Sequence, residues 1–180
     1  MKFYTKSYLS DLSESRRKGT KTFSSVINEN RNRTHFDIFL SHSFKDQKYI
    51  AGLYLELTSK GYSVYVDWII DPHFQRDNVT KATVDKIRLR MKQSKSLIYA
   101  TSENASNSKW MPWELGFMDG DKGRCAILPI TDYETDTFKG QEFLSAYPLV
   151  TKGSNTFFES DLNIQLSTYS SKEMKSWMSF

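Results

Sequence analysis

Residues 36–46 read FDIFLSHSFKD, and this stretch opens the alternation of strand and helix that decides the fold. The apolar run Phe36–Leu40 predicts a buried strand. Apolar side chains then recur with the i, i+3, i+4, i+7 spacing of an amphipathic helix, at Ile50, Leu53, Tyr54 and Leu57. Ser43 and Asp46 have the spacing of a capping box before that helix, and Gly61 stands where a glycine ends it.

The alternation continues through the rest of the chain. Clusters of β-branched and aromatic residues predict further strands at Tyr62–Trp68, Ser96–Ala100, Cys125–Ile130 and Tyr147–Val150. Helices are predicted around Val84, Ile87 and Met91, around Glu114 as far as Gly120, and over residues 161–180; residues 69–78 are predicted to be a long loop. Strands separated by single helices indicate an α/β fold, with a central parallel sheet of about five strands flanked by helices.

Residues 1–33 are predicted to form a basic extension in front of a domain at residues 34–180. The extension carries eight Lys or Arg and three acidic residues, whereas the remainder carries 17 basic and 18 acidic residues. Two apolar patches, Tyr8-Leu9-Leu12 and Phe23-Val26-Ile27, predict two short amphipathic helices. Because such short helices are not stable alone, we expect them to pack on the domain or on a second copy of the chain.

The composition excludes several classes of protein. Hydrophobic residues make up 38% of the chain and aromatic residues 14%, which is enough for a core and argues against disorder throughout. No apolar run approaches the roughly 18 residues of a membrane span, and the first residues lack a secretory signal. The extension carries a net charge of +5 and the remainder −1, so the excess positive charge lies outside the folded body and no nucleic-acid partner is expected. Cys125, the single cysteine, is predicted to be a buried strand thiol in a cytoplasmic protein.

Residues 107–117 read NSKWMPWELGF and contain the main candidate for chemistry. Glu114 is predicted to lie in the opening turn of a helix that follows a strand, between Trp110 and Trp113. Open α/β sheets bind ligands in the crevice at such strand-to-helix junctions, and two indole faces beside a carboxylate suit a nucleotide. A structural interpretation stands beside this one, because tryptophans also anchor cores and a first-turn glutamate also faces the helix dipole.

Three segments are expected to meet at one edge of the sheet, because each follows the carboxyl end of a predicted strand: Ser41–Phe44, Asp67–Arg76 and Thr101–Glu114. The three histidines, His35, His42 and His73, lack metal-ligand spacing, so no metal site is predicted. His42 follows the first strand; it either lines the crevice or is a solvated loop residue, and the solvated interpretation is favoured.

Three motifs together resemble the Toll/interleukin-1 receptor (TIR) domain in its bacterial form. They are DIFLSHSFKD at residues 37–46, GYSVYVD at residues 61–67 and SKWMPWELG at residues 108–116. The resemblance covers about residues 36–130 and includes TIR proteins of Thoeris-like antiphage systems. It implies a flavodoxin-like fold and, as in many members, cleavage of NAD⁺ by the glutamate of a WxxxE helix, here Glu114 with Trp110. Residues 71–74 lack the Pro-Gly element of receptor-type members, and the basic extension has no counterpart.

NAD⁺ chemistry explains how one carboxylate can be enough. Nicotinamide leaves a cationic pyridinium as a neutral base, so no general acid is needed, and an ionised Glu114 would stabilise the oxocarbenium-like ribose. The residues assigned to NAD⁺ binding are Ser43, Phe44, Trp68, Arg76 and Trp110. Trp110 is expected to shape the ribose pocket, Phe44 or Trp68 to stack on a ring, and Arg76 either to bind the diphosphate or to be solvated. NAD⁺ is the substrate in this hypothesis, with no further cofactor.

Three functions remain open from the sequence. The first is an NAD⁺ glycohydrolase or ADP-ribosyl cyclase whose ADP-ribose-derived product, linear or cyclic, signals to a downstream effector in antiphage immunity. Its expected partners are further copies of the chain and a phage-derived activator, with no membrane. The second is a non-catalytic TIR interaction module, and the third is an enzyme like the nucleoside deoxyribosyltransferases. Fold alone does not separate these three.

Overall fold

One mixed sheet organises the chain. The computed structural model describes residues 2–15, 23–73, 79–153 and 162–179, and within these ranges the sheet has eight strands. They are β1 (Tyr4–Thr5), β2 (Phe36–Ser41), β3 (Val64–Tyr65), β4 (Ser94–Thr101), β5 (Cys125–Thr131), β6 (Leu149–Thr151), β7 (Asn163–Ser167) and β8 (Ser170–Glu173). The order is β3-β2-β4-β5-β6-β7-β8, with β1 paired to β5. Pairs from β3 to β6 are parallel, which confirms the predicted α/β fold.

Seven helices lie within the described ranges, and those between β2 and β5 connect parallel strands. They are α1 (Lys6–Ser15), α2 (Phe23–Arg31), α3 (Gln47–Ser59), α4 (Asp67–Ile70), α5 (Lys81–Lys92), α6 (Trp110–Lys122) and α7 (Met174–Met178). Short 3-10 turns lie at Phe44–Asp46, Ala105–Asn107 and Glu142–Ala146. In the part of the chain that the structure describes, no helix is both long enough and apolar enough to cross a bilayer.

The strand register shows which side chains face α6. Phe39 pairs with Leu97, and Leu97 pairs with Cys125, so these three side chains form a row on one face. The Cys125 thiol contacts the Leu115 carbonyl oxygen of α6 at 3.9 Å, so this row faces α6. Burial, followed by the charge of Asp119, raises the pKa of Cys125 to about 12, so the buried thiol has no thiolate character at neutral pH.

The carboxyl-terminal segment corrects the prediction of terminal helices over residues 161–180. Residues 163–173 form the antiparallel hairpin β7–β8, and only Met174–Met178 is helical. Leu162 and Ile164 are buried whereas Leu166 is 43% exposed, so apolar side chains do not share a helical face. Pairing of β7 with β6 satisfies its backbone and overrides the weak helical spacing.

The second predicted strand is also shorter than expected. The strand was predicted over residues 62–68 and a loop over residues 69–78. In the structure Val64–Tyr65 pairs with β2, and the chain turns at Val66 into α4. Tyr62–Asp67 is buried throughout, so apolar composition does not show where the strand ends. Residues 74–78 of the predicted loop lie outside the described residues.

The turns at the helix ends confirm one prediction and correct two. Gly61 adopts a left-handed φ of 86° after α3, as predicted for a terminating glycine. Helix α6 runs to Lys122 and is terminated by Gly123, with φ 63°, rather than ending near Gly120. Ser43 makes no side-chain capping bond. Instead the Asp46 carboxylate accepts hydrogen bonds from Ser102 Oγ at 2.5 Å and Asn104 Nδ2 at 2.7 Å, joining the loops after β2 and β4.

Residues 2–15 pack directly on the rest of the sheet and its helices. Leu9 of α1 is fully buried, and its backbone lies against Gly52 of α3. Strand β1 pairs with the end of β5. The hydroxyl groups of Tyr4 and Tyr8 both donate to Glu56 of α3, at 3.2 and 3.1 Å. Leu9, the centre of the first apolar patch, is therefore buried within the same chain, whereas Tyr8 of that patch is 36% exposed.

Asp71, which directly follows α4, ties the end of that helix to α5. Arg90 Nε and an Arg90 terminal nitrogen each donate to its carboxylate at 2.8 Å, and Tyr65 donates at 3.0 Å. Burial alone would raise the pKa of Asp71, but hydrogen bonds and charge from Arg90 outweigh it and hold the pKa below its usual value.

We expect Asp71→Asn to lower the free energy of unfolding by about 2 kcal/mol at neutral pH, because charge-assisted bonds are lost and Arg90 keeps a weaker partner. Since the folded-state pKa is depressed, this contribution is present above about pH 4 and disappears as the pH falls through the folded value. Urea unfolding of both proteins at neutral and acidic pH measures it. The control is Asp85→Asn, which removes an exposed pair with Lys81 and should change little at either pH. An equal difference between wild type and Asp71→Asn at both pH values would contradict the prediction.

Candidate active site

Three loops meet at the edge of the sheet formed by the carboxyl ends of the parallel strands. Ser41 is the last residue of β2, Val66 follows β3, and Ser102 follows β4. Helix α6 follows the loop after β4 and packs against β2, β4 and β5. The segments that the sequence assigned to one edge therefore meet there, except that residues 74–78 are not described.

Glu114 is held inside this edge by a serine. Its side chain is 0% exposed, and Ser41, also 0% exposed, donates from Oγ to Glu114 Oε2 at 2.6 Å. Because α6 begins at Trp110, Glu114 lies in the second turn and not in the predicted opening turn. The helix dipole acts mainly on the first turn, so the Ser41 hydroxyl, rather than the helix end, orients this carboxylate.

Ser41 was expected at this edge as the first residue of the segment Ser41–Phe44, but it was not among the residues assigned to catalysis or to NAD⁺ binding. A signal for it was present, since Ser41 is a hydroxyl residue at the carboxyl end of an otherwise apolar strand. Ligand-facing polar groups concentrate at this position of α/β sheets. Its partner lies 73 residues away, so the hydrogen bond itself needed the three-dimensional register.

His42 is buried, which corrects its interpretation as a solvated loop residue. It is 4% exposed, its Nδ1 lies 2.9 Å from the Leu40 carbonyl oxygen, and its Nε2 accepts a hydrogen bond from Trp68 Nε1 at 3.1 Å. Both contacts are satisfied by the neutral tautomer that carries its proton on Nδ1. An Asp67 carboxylate oxygen lies 3.7 Å from Nε2. His42 thus ties the end of β2 to α4.

The two tryptophans of the motif contact each other instead of standing on opposite sides of Glu114. The rings of Trp110 and Trp113 meet edge to face with centroids 5.6 Å apart. The ring centroid of Trp113 lies 6.0 Å from that of Phe117. The guanidinium carbon of Arg88 on α5 lies 5.8 Å from the Trp113 ring centroid. Trp113 therefore packs between α5 and α6, as the structural interpretation had it, and the partly buried Trp110 lies one turn before Glu114.

The other assigned residues differ in accessibility. Phe44 is 75% exposed, whereas Ser43 is 6% exposed and its carbonyl oxygen accepts a hydrogen bond from the Asp46 amide. Trp68 is partly buried, with its indole N–H donated to His42. Arg76 lies outside the described residues.

Access to Glu114 requires movement. A cavity of about 510 Å³ opens at the ends of β4 and β5, beside Thr101, Pro129 and Gln141, but Glu114 does not line it. Because Glu114 is 0% exposed, a substrate reaches its carboxylate only when covering residues shift. Among the described residues, no three His, Cys, Asp or Glu side chains are grouped to hold a metal ion.

Comparison with known proteins places this geometry in a family. The sequence model described as "TIR domain" matches residues 38–151. The chain is 51% identical over 121 residues to "Probable 3' cyclic ADP-D-ribose synthase ThsB'" of Bacillus cereus (strain MSX-D12), covering 66% of this chain and 62% of that protein. It is 31% identical over 91 residues to "Putative cyclic ADP-D-ribose synthase TIR2" of Cytobacillus dafuensis, covering 50% of this chain and 24% of that protein. The match thus spans less than two thirds of either relative's length.

Proposed function

The chain belongs to the TIR domain family, and from that premise we propose that it cleaves the nicotinamide–ribose bond of NAD⁺ and produces cyclic ADP-ribose. One observation carries the proposal. The Glu114 carboxylate, held by Ser41 at the carboxyl edge of the sheet, belongs to a chain that is 51% identical over 121 residues to a protein named as a probable 3' cyclic ADP-D-ribose synthase.

The first step breaks the bond between the anomeric carbon of the ribose and the pyridinium nitrogen. The bonding electron pair leaves with nicotinamide, which becomes a neutral base, so no acid has to protonate it. Positive charge develops on the ribose as an oxocarbenium-like centre. The Glu114 carboxylate stabilises this charge in a site from which water is largely excluded, where electrostatic interactions are strong.

The second step decides the product. A ribose hydroxyl of the adenosine half attacks the anomeric carbon and forms a new C–O bond, and its proton passes to the Glu114 carboxylate and then to solvent. Attack by water instead would give linear ADP-ribose. The depth of Glu114 below the surface favours the intramolecular attack, since closure of a site around its substrate excludes water.

The substrate-binding residues follow from the same arrangement. Trp110, one turn before Glu114, would form the wall of the ribose pocket. Phe44 has the exposed ring needed for stacking on a base, and Trp68, fixed by His42, would close the opposite side. Ser43 and Arg76 are assigned to polar contacts with the substrate, Arg76 with the diphosphate.

The resemblance to bacterial antiphage TIR proteins supplies the biological part of the proposal. We place the protein in the cytoplasm, where a phage-derived component activates it and its diffusible product acts on a downstream effector. We assign residues 1–33 to a basic extension and residues 34–180 to the TIR domain.

We expect activity to depend on assembly of several copies of the chain. Glu114 is fully buried within one chain, and a neighbouring copy that shifts the covering residues would open the site. The rate of nicotinamide release per molecule should therefore rise with protein concentration in step with the oligomeric state. Turnover of NAD⁺ over a dilution series, with sedimentation at each concentration, measures both. A constant rate per molecule from a strictly monomeric protein would contradict the expectation.

The same assay separates the alternatives. A non-catalytic interaction module leaves NAD⁺ intact at every concentration. An enzyme like the nucleoside deoxyribosyltransferases exchanges the base of a 2′-deoxynucleoside when a free base is supplied, so this pair of substrates is offered in a parallel reaction. Release of nicotinamide from NAD⁺ without base exchange on the deoxynucleoside supports the proposed function.

A further inference from the structure

Tyr99 of β4 is fully buried, and its hydroxyl has no hydrogen-bond partner among the described residues. A hydroxyl that loses its bonds to water and gains none in the protein is destabilising, and folded proteins retain few of them. Phenylalanine would fill the same space without this cost. The hydroxyl therefore needs an explanation other than packing.

The register places Tyr99 beside the candidate active site. Tyr99 is the in-register neighbour of Ser41, and paired residues of parallel strands present their side chains on the same face. Ser41 donates to Glu114 of α6 from that face, so Tyr99 lies in the same layer between the sheet and α6. Burial, followed by the charge of Glu114, raises the pKa of Tyr99 to about 12. The phenol is thus protonated at neutral pH and is able to donate a hydrogen bond.

We propose that Tyr99 binds the substrate, with its hydroxyl donating a hydrogen bond to a ribose hydroxyl next to the anomeric carbon that faces Glu114. This inference rests on the proposed function and adds a substrate contact to it. The ribose is the part of NAD⁺ that fits, because its hydroxyl oxygens accept hydrogen bonds beside the reacting carbon. Ser41 then holds the carboxylate and Tyr99 holds the sugar.

The test is Tyr99→Phe, which removes one oxygen atom and keeps the ring. We expect kcat/KM for NAD⁺ to fall about tenfold, the value of one hydrogen bond to a substrate hydroxyl. The midpoint of thermal unfolding should stay the same or rise, because only a hydroxyl without a partner is lost. Tyr54→Phe is the matched control, since Tyr54 is an equally buried tyrosine on α3, outside the site, and should turn over NAD⁺ like the wild type.

A second measurement reads binding without turnover. In a Glu114→Gln background, adding Tyr99→Phe should weaken NAD⁺ binding about tenfold by calorimetry. Unchanged affinity there, or wild-type kcat and KM for Tyr99→Phe alone, overturns the assignment. Wild-type protein that releases no nicotinamide overturns the proposed function, whereas normal release by both wild type and Tyr99→Phe overturns only the role of Tyr99.

Discussion

Glu114→Gln is expected to lower NAD⁺ turnover by about a hundredfold or more while the protein stays folded. The amide has the size of the carboxylate and can still accept the hydrogen bond from Ser41 through its oxygen, so the packing under α6 is retained. The negative charge that stabilises the oxocarbenium-like ribose is lost. Removal of one such electrostatic group from a water-excluded site lowers the rate by about two to three orders of magnitude.

Nicotinamide release and thermal unfolding, measured on the same preparations, check this expectation. Glu142→Gln is a suitable control, because Glu142 is an exposed glutamate in the 3-10 turn before β6 and should behave like the wild type. A well-folded Glu114→Gln protein with wild-type nicotinamide release would remove Glu114 from the mechanism.

Gly52→Ala is expected to destabilise the fold by about 3 kcal/mol, at the upper end of the range for overpacked cores. A Cβ atom at Gly52 would lie 1.9 Å from the Leu9 carbonyl oxygen and 2.7 Å from its carbon, both backbone atoms. Helix α1 must then move away from α3, which uncovers Leu9. The loss outweighs the gain of about 1 kcal/mol in helix propensity and is a large part of the stability of an ordinary domain.

Gly120→Ala in α6 is the matched control. Gly120 is exposed, and a Cβ atom there would have nothing within 4 Å, so only the helix propensity changes. Stability should rise by up to about 1 kcal/mol. Urea unfolding of the two variants gives the comparison. Equal stability of Gly52→Ala and wild type would show that α1 is not held against α3 in solution.

The sequence predicted the parts of the fold that depend on local patterns. Helix α3 was readable because its buried residues repeat at helical spacing and Gly61 ends it. The hairpin β7–β8 could not be predicted from the sequence, because its residues have weak periodicity. They form strands because the edge of β6 is available for pairing. The close approach of Leu9 to Gly52 was equally hidden, because a small residue in a helix does not show which backbone will lie against it.

The residues of the candidate site also fall into two groups, those predicted from local patterns and those brought together only by the fold. Glu114 and Trp110 were predicted from a motif that is contiguous in the sequence, and the loops were expected at one edge because all follow parallel strands. Ser41 and Tyr99 are neighbours only through the register of β2 and β4. His42 looked like a solvated loop residue because its partner, the indole N–H of Trp68, comes from α4, which was predicted as strand and loop.

The most direct test of the proposed reaction is the fate of NAD⁺ in water enriched in oxygen-18. Wild-type protein, at concentrations where it assembles, is incubated with NAD⁺, and the products are separated and weighed by mass spectrometry. We predict one nicotinamide for each NAD⁺ consumed and a cyclic ADP-ribose that carries no oxygen-18, because its new bond is made by a hydroxyl of the substrate itself. Intact NAD⁺ under all assembled conditions, or a product consisting only of labelled linear ADP-ribose, would contradict the assignment as a cyclase.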